Sequence, residues 1–134
     1  MSSFESRPRT SAKRLLIVTA AIELGAGLTL LVAPALVIRL LFGWAVDVFP
    51  AVGIARVAGA ALLSLGAACW WARHGDRGAA SSALVGAVFI YNVAVVTLGL
   101  AGALGALGPL QWAAVALHGA QAIWCALVLA DRRS

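Results

Sequence analysis

Long uninterrupted runs of apolar residues alternate with short polar or glycine-rich segments along this chain. The runs cover about residues 15–33, 51–72, 79–103 and 110–130. A helix needs roughly 20 residues, at about 1.5 Å per residue, to cross the hydrocarbon core of a bilayer, so each run is long enough. The pattern predicts an all-α protein, an integral membrane four-helix bundle.

A shorter apolar segment after the first run predicts one additional helix. Pro34 ends the first run because proline is poorly tolerated inside a helix. Residues 35–42 are apolar apart from Arg39 and are too few to span a bilayer, and Gly43 suits the end of a helix. We therefore expect a short interfacial helix after the first span, with Arg39 reaching towards the lipid headgroups.

The N-terminal residues 1–12 are polar, rich in Ser and Arg, and predict a disordered cytoplasmic tail. Residues 13–134 are predicted to form a single four-helix transmembrane domain. Of the 134 residues 63% are hydrophobic and 11% charged, whereas soluble domains are roughly 45–50% apolar and 25% charged. The composition therefore excludes a soluble domain and predicts that the chain is embedded in a lipid bilayer, which is its first expected partner.

The net charge of +5 would favour nucleic acid as a partner in a soluble protein, but here the basic residues lie at the ends of the apolar runs. They stand at 7–14, 73–77 and 132–133, whereas the other two connections carry little charge. Lys and Arg accumulate on cytoplasmic loops of membrane proteins. The pattern excludes nucleic acid and predicts a multi-pass protein of the bacterial inner (cytoplasmic) membrane with both termini in the cytoplasm.

Each span carries a strongly polar residue at membrane depth. These candidates for a polar interior or ligand site are Glu23, Arg56, Asn92, His118 and Gln121. Ionisable groups at this depth cost roughly 2.5–3.5 kcal/mol on insertion scales, so they normally face the bundle interior and find partners. Counted from the cytoplasmic ends, Glu23 lies about 13 Å deep and Arg56 about 25 Å, so a direct ion pair between them needs a shifted or kinked helix.

Two interpretations of these polar residues stay open. They either fix the register of the helices and satisfy one another, or they form a polar pocket in which Glu23 exchanges protons. Small residues also recur at spacings of four, at 21/25/29, 60/64/68, 79/83/87 and 122/126/130. In lipid such stripes mark helix packing, either within one chain or in a homodimer.

The sequence contains no pattern typical of catalysis, metal binding or a bound cofactor. No Cys or carboxylate stands at ligand spacing from His118, and His74 falls in a predicted loop, so the two histidines do not make a haem site. The serines have no acid–base partner at a recognisable spacing. We therefore expect a protein without catalytic residues, metal or cofactor.

The order of motifs resembles small four-span bacterial membrane proteins and, more distantly, the DoxX-like four-helix family. The resemblance rests on Glu23-Leu-Gly25, on Leu40-Leu-Phe-Gly43 after Pro34, and on Ala55-Arg56 before Gly59. It implies a four-helix membrane fold, and some DoxX-like proteins are linked to quinone-dependent redox complexes. That family places an arginine in the first span and an acidic residue in the second, the reverse of this chain, so no catalytic residue is carried over.

The function expected from the sequence is that of a non-catalytic membrane protein. Its polar interior would bind a lipid-like ligand or a membrane-protein partner. The alternatives are a small proton-coupled transporter that works as a homodimer with Glu23 as coupling acid, and an accessory subunit of a membrane redox complex. A carrier predicts pH-dependent solute flux, whereas a redox subunit predicts a bound quinone or chromophore.

The predicted topology can be tested with a reporter enzyme that is active only in the periplasm. Fused to the C-terminus, the reporter should stay inactive, because the basic segments hold both termini in the cytoplasm. The same reporter inserted in the first connection, after Gly43, should be active. Strong activity of the C-terminal fusion would contradict the topology.

Overall fold

The fold is a bundle of five helices in a computed structural model, which describes residues 7–43, 49–74, 79–102 and 109–131. In chain order the helices are α1 (Arg7–Val32), α2 (Pro34–Phe42), α3 (Ala51–Ala72), α4 (Ala79–Gly102) and α5 (Pro109–Asp131). All but α2 are long and apolar enough to cross a membrane. The predicted all-α architecture with four spanning helices and a short helix after the first span is confirmed. The chain is a multi-pass membrane protein.

Helix α1 is longer than the first apolar run and begins at Arg7. Residues 7–12, predicted to belong to a disordered tail, are therefore helical, and residues 1–6 of that tail lie outside the described residues. The extension is held by packing, because Ala12 is buried and the indole Nε1 of Trp124 donates a hydrogen bond of 3.2 Å to Ser11 Oγ. Pro8 is compatible with this extension because a proline in the first helical turn removes no helical hydrogen bond.

The boundary between α1 and α2 is set by Pro34, which is the first residue of α2. Proline disfavours helical backbone at the preceding residue, and Ala33 accordingly leaves the helical region with φ −132° and ψ 53°. Helix α2 ends at Gly43, whose φ of +93° is in the region that favours glycine. Both boundaries agree with the sequence-based prediction.

The four long helices are arranged as two tightly packed antiparallel pairs, α1 with α3 and α4 with α5. The contact between the pairs is looser and runs mainly between α1 and α5, with α2 packed against α1, α3 and α5. We call the end where α1 begins the N-terminal end and the opposite end the α2 end. The buried core lies at the N-terminal end, where Leu15, Cys69, Val85 and Cys125 meet without any exposed surface.

The α1–α3 pair is held by direct backbone contact at glycines. A Cβ atom at Gly27 would lie 2.7 Å from the carbonyl oxygen of Gly59 and 2.9 Å from the backbone nitrogen of Leu63. At Gly66 it would lie 3.0 Å from the backbone nitrogen of Leu24. These glycines let the two backbones touch, which is how helices associate in lipid.

The stripes of small residues that were expected to mediate helix packing do not form the helix contacts within this chain. Most of their members are exposed, including all three residues at 21/25/29 and at 79/83/87. A Cβ atom at Gly25 would meet nothing within 4 Å. The contact uses Gly27 instead, which lies on the opposite side of α1 from Gly25 because two residues correspond to about 200° of helical turn.

This difference between two neighbouring glycines is testable. Gly27→Ala should lower the free energy of unfolding by about 1–3 kcal/mol, since the added methyl group meets backbone that cannot move aside. Gly25→Ala is the matched control and should cause no loss, because its methyl group projects into open space. Thermal unfolding of both variants in the same detergent decides, and equal stability of the two would contradict the glycine contact.

Candidate functional site

Glu23 is the most completely buried acidic group that the structure describes, with 1% of its surface exposed. One carboxylate oxygen, Oε2, accepts a hydrogen bond of 3.5 Å from the Tyr91 hydroxyl on α4. The other oxygen, Oε1, is buried and has no hydrogen-bond partner among the described residues. A buried polar atom without a partner loses the hydrogen bonds it would make in water, so Oε1 of the ionised carboxylate is an acceptor that the described protein groups leave unsatisfied.

Asn92 and His118 form the second buried contact, between α4 and α5. The Asn92 amide nitrogen Nδ2 donates to the Val88 carbonyl at 2.7 Å, and the imidazole Nδ1 of His118 lies 2.7 Å from Asn92 Oδ1. A carbonyl can only accept, which fixes the orientation of the amide and leaves Oδ1 facing the imidazole. His118 Nδ1 must therefore carry the proton and donate it.

Tyr91 links these two groups. Its ring meets the imidazole of His118 edge-on, with ring centroids 5.5 Å apart and an angle of 85° between the planes. This T-shaped arrangement is a preferred geometry for a pair of rings. Together with the hydrogen bond to Glu23, it makes Glu23, Tyr91, His118 and Asn92 one continuous polar cluster.

Gln121 lies apart from this cluster, closer to the N-terminal end. Its Oε1 accepts a hydrogen bond of 3.3 Å from the Thr19 hydroxyl, and its Nε2 is buried without a partner among the described residues. Thr19 is fully buried and Gln121 is 3% exposed. This pair joins α1 to α5 beside the core.

A cavity of about 620 Å³ lies between the two helix pairs and extends from Glu23 towards the α2 end. Its walls come from α1, α4 and α5, with Leu62 of α3 and with Val37, Leu41 and Phe42 of α2 on one side. The lining is mostly aliphatic. Its polar side chains are Glu23, Thr29, Tyr91, Gln111 and His118.

Gln111 is a polar residue of this cavity that was not among the residues predicted from the sequence. It is 7% exposed, its Nε2 donates to the Gly99 carbonyl at 3.3 Å, and its Oε1 is buried without a partner among the described residues. Gln111 stands at the start of the last apolar run, where polar residues usually face the membrane surface. The sequence feature that could have identified Gln111 is its polar amide within an otherwise apolar segment. Tyr91 was likewise not among the predicted site residues, although its position in the fourth helix puts it at the same depth as Asn92 and His118.

Arg56 does not face the bundle interior, which corrects the expectation that it joins the other polar residues. Its side chain is exposed, as are those of its neighbours Ile54 and Val57. Gly59 of α3 faces α1, and Arg56 lies about 60° around the helix from it, on the side away from the buried Ala55. Of the predicted site residues, the structure brings together Glu23, Asn92 and His118, pairs Gln121 separately with Thr19 and leaves Arg56 outside.

Among the described residues, no three His, Cys, Asp or Glu side chains lie close enough together to hold a metal ion. Comparison with protein-family models, curated proteins and solved structures found no match to this chain. The resemblance to DoxX-like proteins therefore stays an expectation from the sequence.

The hydrogen bond between Asn92 and His118 can be tested by a double-mutant cycle with Asn92→Leu and His118→Leu. Asn92→Leu should lower the free energy of unfolding by about 1–3 kcal/mol, because it leaves the imidazole N–H buried without an acceptor. The two changes should not be additive, with a coupling of at least about 0.5 kcal/mol.

Thr97→Val, on the exposed side of the same helix, is the control for this cycle and should cost much less. Additive effects of Asn92→Leu and His118→Leu in chemical unfolding would contradict the contact.

Proposed function

We propose that the protein is a non-catalytic membrane protein that binds a lipid-like ligand in the cavity between its two helix pairs. The observation that carries this proposal is the Glu23 carboxylate, buried at the cavity wall with one oxygen unpartnered. A group that only fixed helix register would have both oxygens satisfied from within the bundle, since buried polar atoms in native structures almost always are.

The size and lining of the cavity support an amphipathic ligand. Its volume of about 620 Å³ falls in the range of roughly 300–1,000 Å³ typical of small-molecule sites. Apolar walls with a few convergent polar groups are also typical of such sites. Leu98 and Phe42 line the cavity yet are 71% and 50% exposed, so it reaches the outer surface of the bundle, where acyl chains would surround it.

The membrane in which we place the protein is the bacterial inner membrane, with both termini in the cytoplasm. The support is the distribution of Lys and Arg along the sequence. In this orientation the α2 end, and with it the cavity, faces the periplasmic leaflet. The ligand would then enter from that leaflet.

A proton-coupled carrier is the second candidate, and the same carboxylate favours it. A coupling acid must be buried in one state and must exchange its proton when the substrate leaves. Glu23 stands at the boundary between the sealed core and the cavity. In proteoliposomes a carrier would show solute flux that depends on a proton gradient and is lost in Glu23→Gln, whereas a binding protein would show no flux.

Occupancy of the cavity can be tested by photolabelling in native membranes. The probe is an uncharged single-chain C16 alcohol that bears a diazirine, and the labelled peptides are mapped by mass spectrometry. We expect label on cavity residues such as Ala26 and Val95, besides label on outward residues such as Ile54. Ala114→Phe should abolish the cavity label and keep the outward label, because it places a ring in the cavity wall.

The matched control for Ala114→Phe is Ala116→Phe, two positions further along α5, exposed and not among the residues that line the cavity. It should leave both kinds of label unchanged. Label confined to outward residues in the unmodified protein, or cavity label that survives Ala114→Phe, would contradict the proposal.

A further inference from the structure

We infer that the ligand carries a primary ammonium head group on a single apolar chain. This inference deepens the proposed function, since it names the chemical class that the cavity would hold. It rests on the hydrogen-bonding state of the polar side chains that line the cavity.

The hydroxyl groups that line the cavity direct their protons at acceptors of the protein. Tyr91 directs its O–H at Glu23 Oε2 over a long contact of 3.5 Å, and Thr29 donates to the Gly25 carbonyl at 2.7 Å. A hydroxyl whose proton is engaged offers only lone pairs to a ligand. Both groups therefore meet a ligand as acceptors.

The amide and imidazole groups lead to the same conclusion. Gln111 donates from Nε2 to the Gly99 carbonyl and keeps Oε1 free. His118 donates from Nδ1 to Asn92, and in the neutral imidazole its other ring nitrogen, Nε2, then keeps a lone pair. Together with Oε1 of the Glu23 carboxylate, which is buried and has no partner among the described residues, these atoms make the polar groups of the lining a set of acceptors.

The charge of the cavity lining decides which kind of hydrogen-bond donor on a ligand would bind best. Among the described residues that line the cavity there is neither Lys nor Arg, and Glu23 is the one carboxylate. A phosphate or carboxylate head group would meet acceptors and a negative charge, which repel it. An ammonium group supplies three N–H donors and the opposite charge, and charge-assisted hydrogen bonds are about twice as strong as neutral ones.

Four C12 amphiphiles that differ only in the head group test this inference on the unmodified protein. They are dodecylamine, dodecyltrimethylammonium, dodecanol and dodecanoate. Titrations at neutral pH in one detergent, followed by native mass spectrometry, give the four apparent dissociation constants. We expect dodecylamine to bind at least about tenfold more tightly than each of the others, because it alone has both the charge and the N–H donors.

The outcomes separate this inference from the proposed function. Equal binding of dodecylamine and dodecyltrimethylammonium overturns the requirement for N–H donors, and equal binding of dodecylamine and dodecanol overturns the requirement for charge. Tightest binding of dodecanoate overturns both. If the uncharged photoprobe still labels the cavity in any of these cases, the cavity holds a ligand and only its head group is wrongly assigned.

A variant pair adds a test at the residue level. Glu23→Gln should weaken dodecylamine at least about tenfold and leave dodecanol unchanged, since it removes the charge and retains the shape. Arg56→Gln changes the net charge by the same magnitude at an exposed position and should not weaken dodecylamine. Equal effects of the two substitutions on dodecylamine binding would overturn the direct role of Glu23. The amphiphile series does not depend on either variant.

Discussion

The contact on which the rest of the structure depends is the backbone approach of α1 to α3. Between apolar helices in lipid the hydrophobic effect gives no preference for one face over another, so close van der Waals packing decides. Gly27, Gly59 and Gly66 are the positions where the two backbones touch. Once they touch, the rotation of both helices about their axes is fixed, and so is the direction in which every polar side chain on them points.

On α1 this rotation turns Glu23 towards α4 and α5. Glu23 lies one helical turn before Gly27 and about 40° around the helix from it, on the side away from Leu24. It is therefore buried beside the glycine contact and directed into the space between the helix pairs. The pairs meet closely only at the N-terminal end, where the core lies, and the space that remains towards the α2 end is the cavity.

The helices of this fold could be predicted from the sequence, whereas the side of each helix that is buried could not. The bounds of α3 agree with the apolar run at 51–72. Helices α1 and α2 end at Pro34 and Gly43, because proline and glycine have backbone preferences that can be recognised from the residue type alone. A spanning helix is apolar on all sides, so its periodicity does not show which side is buried. For this reason stripes of small residues that are exposed were expected to be seams. The polar candidates were identified by the cost of placing them in lipid. That argument is correct for Glu23 and Asn92, which are buried, and wrong for Arg56, whose side chain is exposed.

The central claim is that the Glu23 carboxylate faces the cavity and has no contact with Arg56. Glu5 is the only other glutamate of the chain, so in a Glu5→Gln background the side-chain carboxyl of Glu23 gives the single glutamate carboxyl signal in a ¹³C NMR spectrum of the labelled protein. The signal should shift when dodecylamine is added and should stay unchanged in Arg56→Leu. A signal that responds to Arg56→Leu and not to the amine would show an ion pair in place of the free oxygen, and would contradict the account.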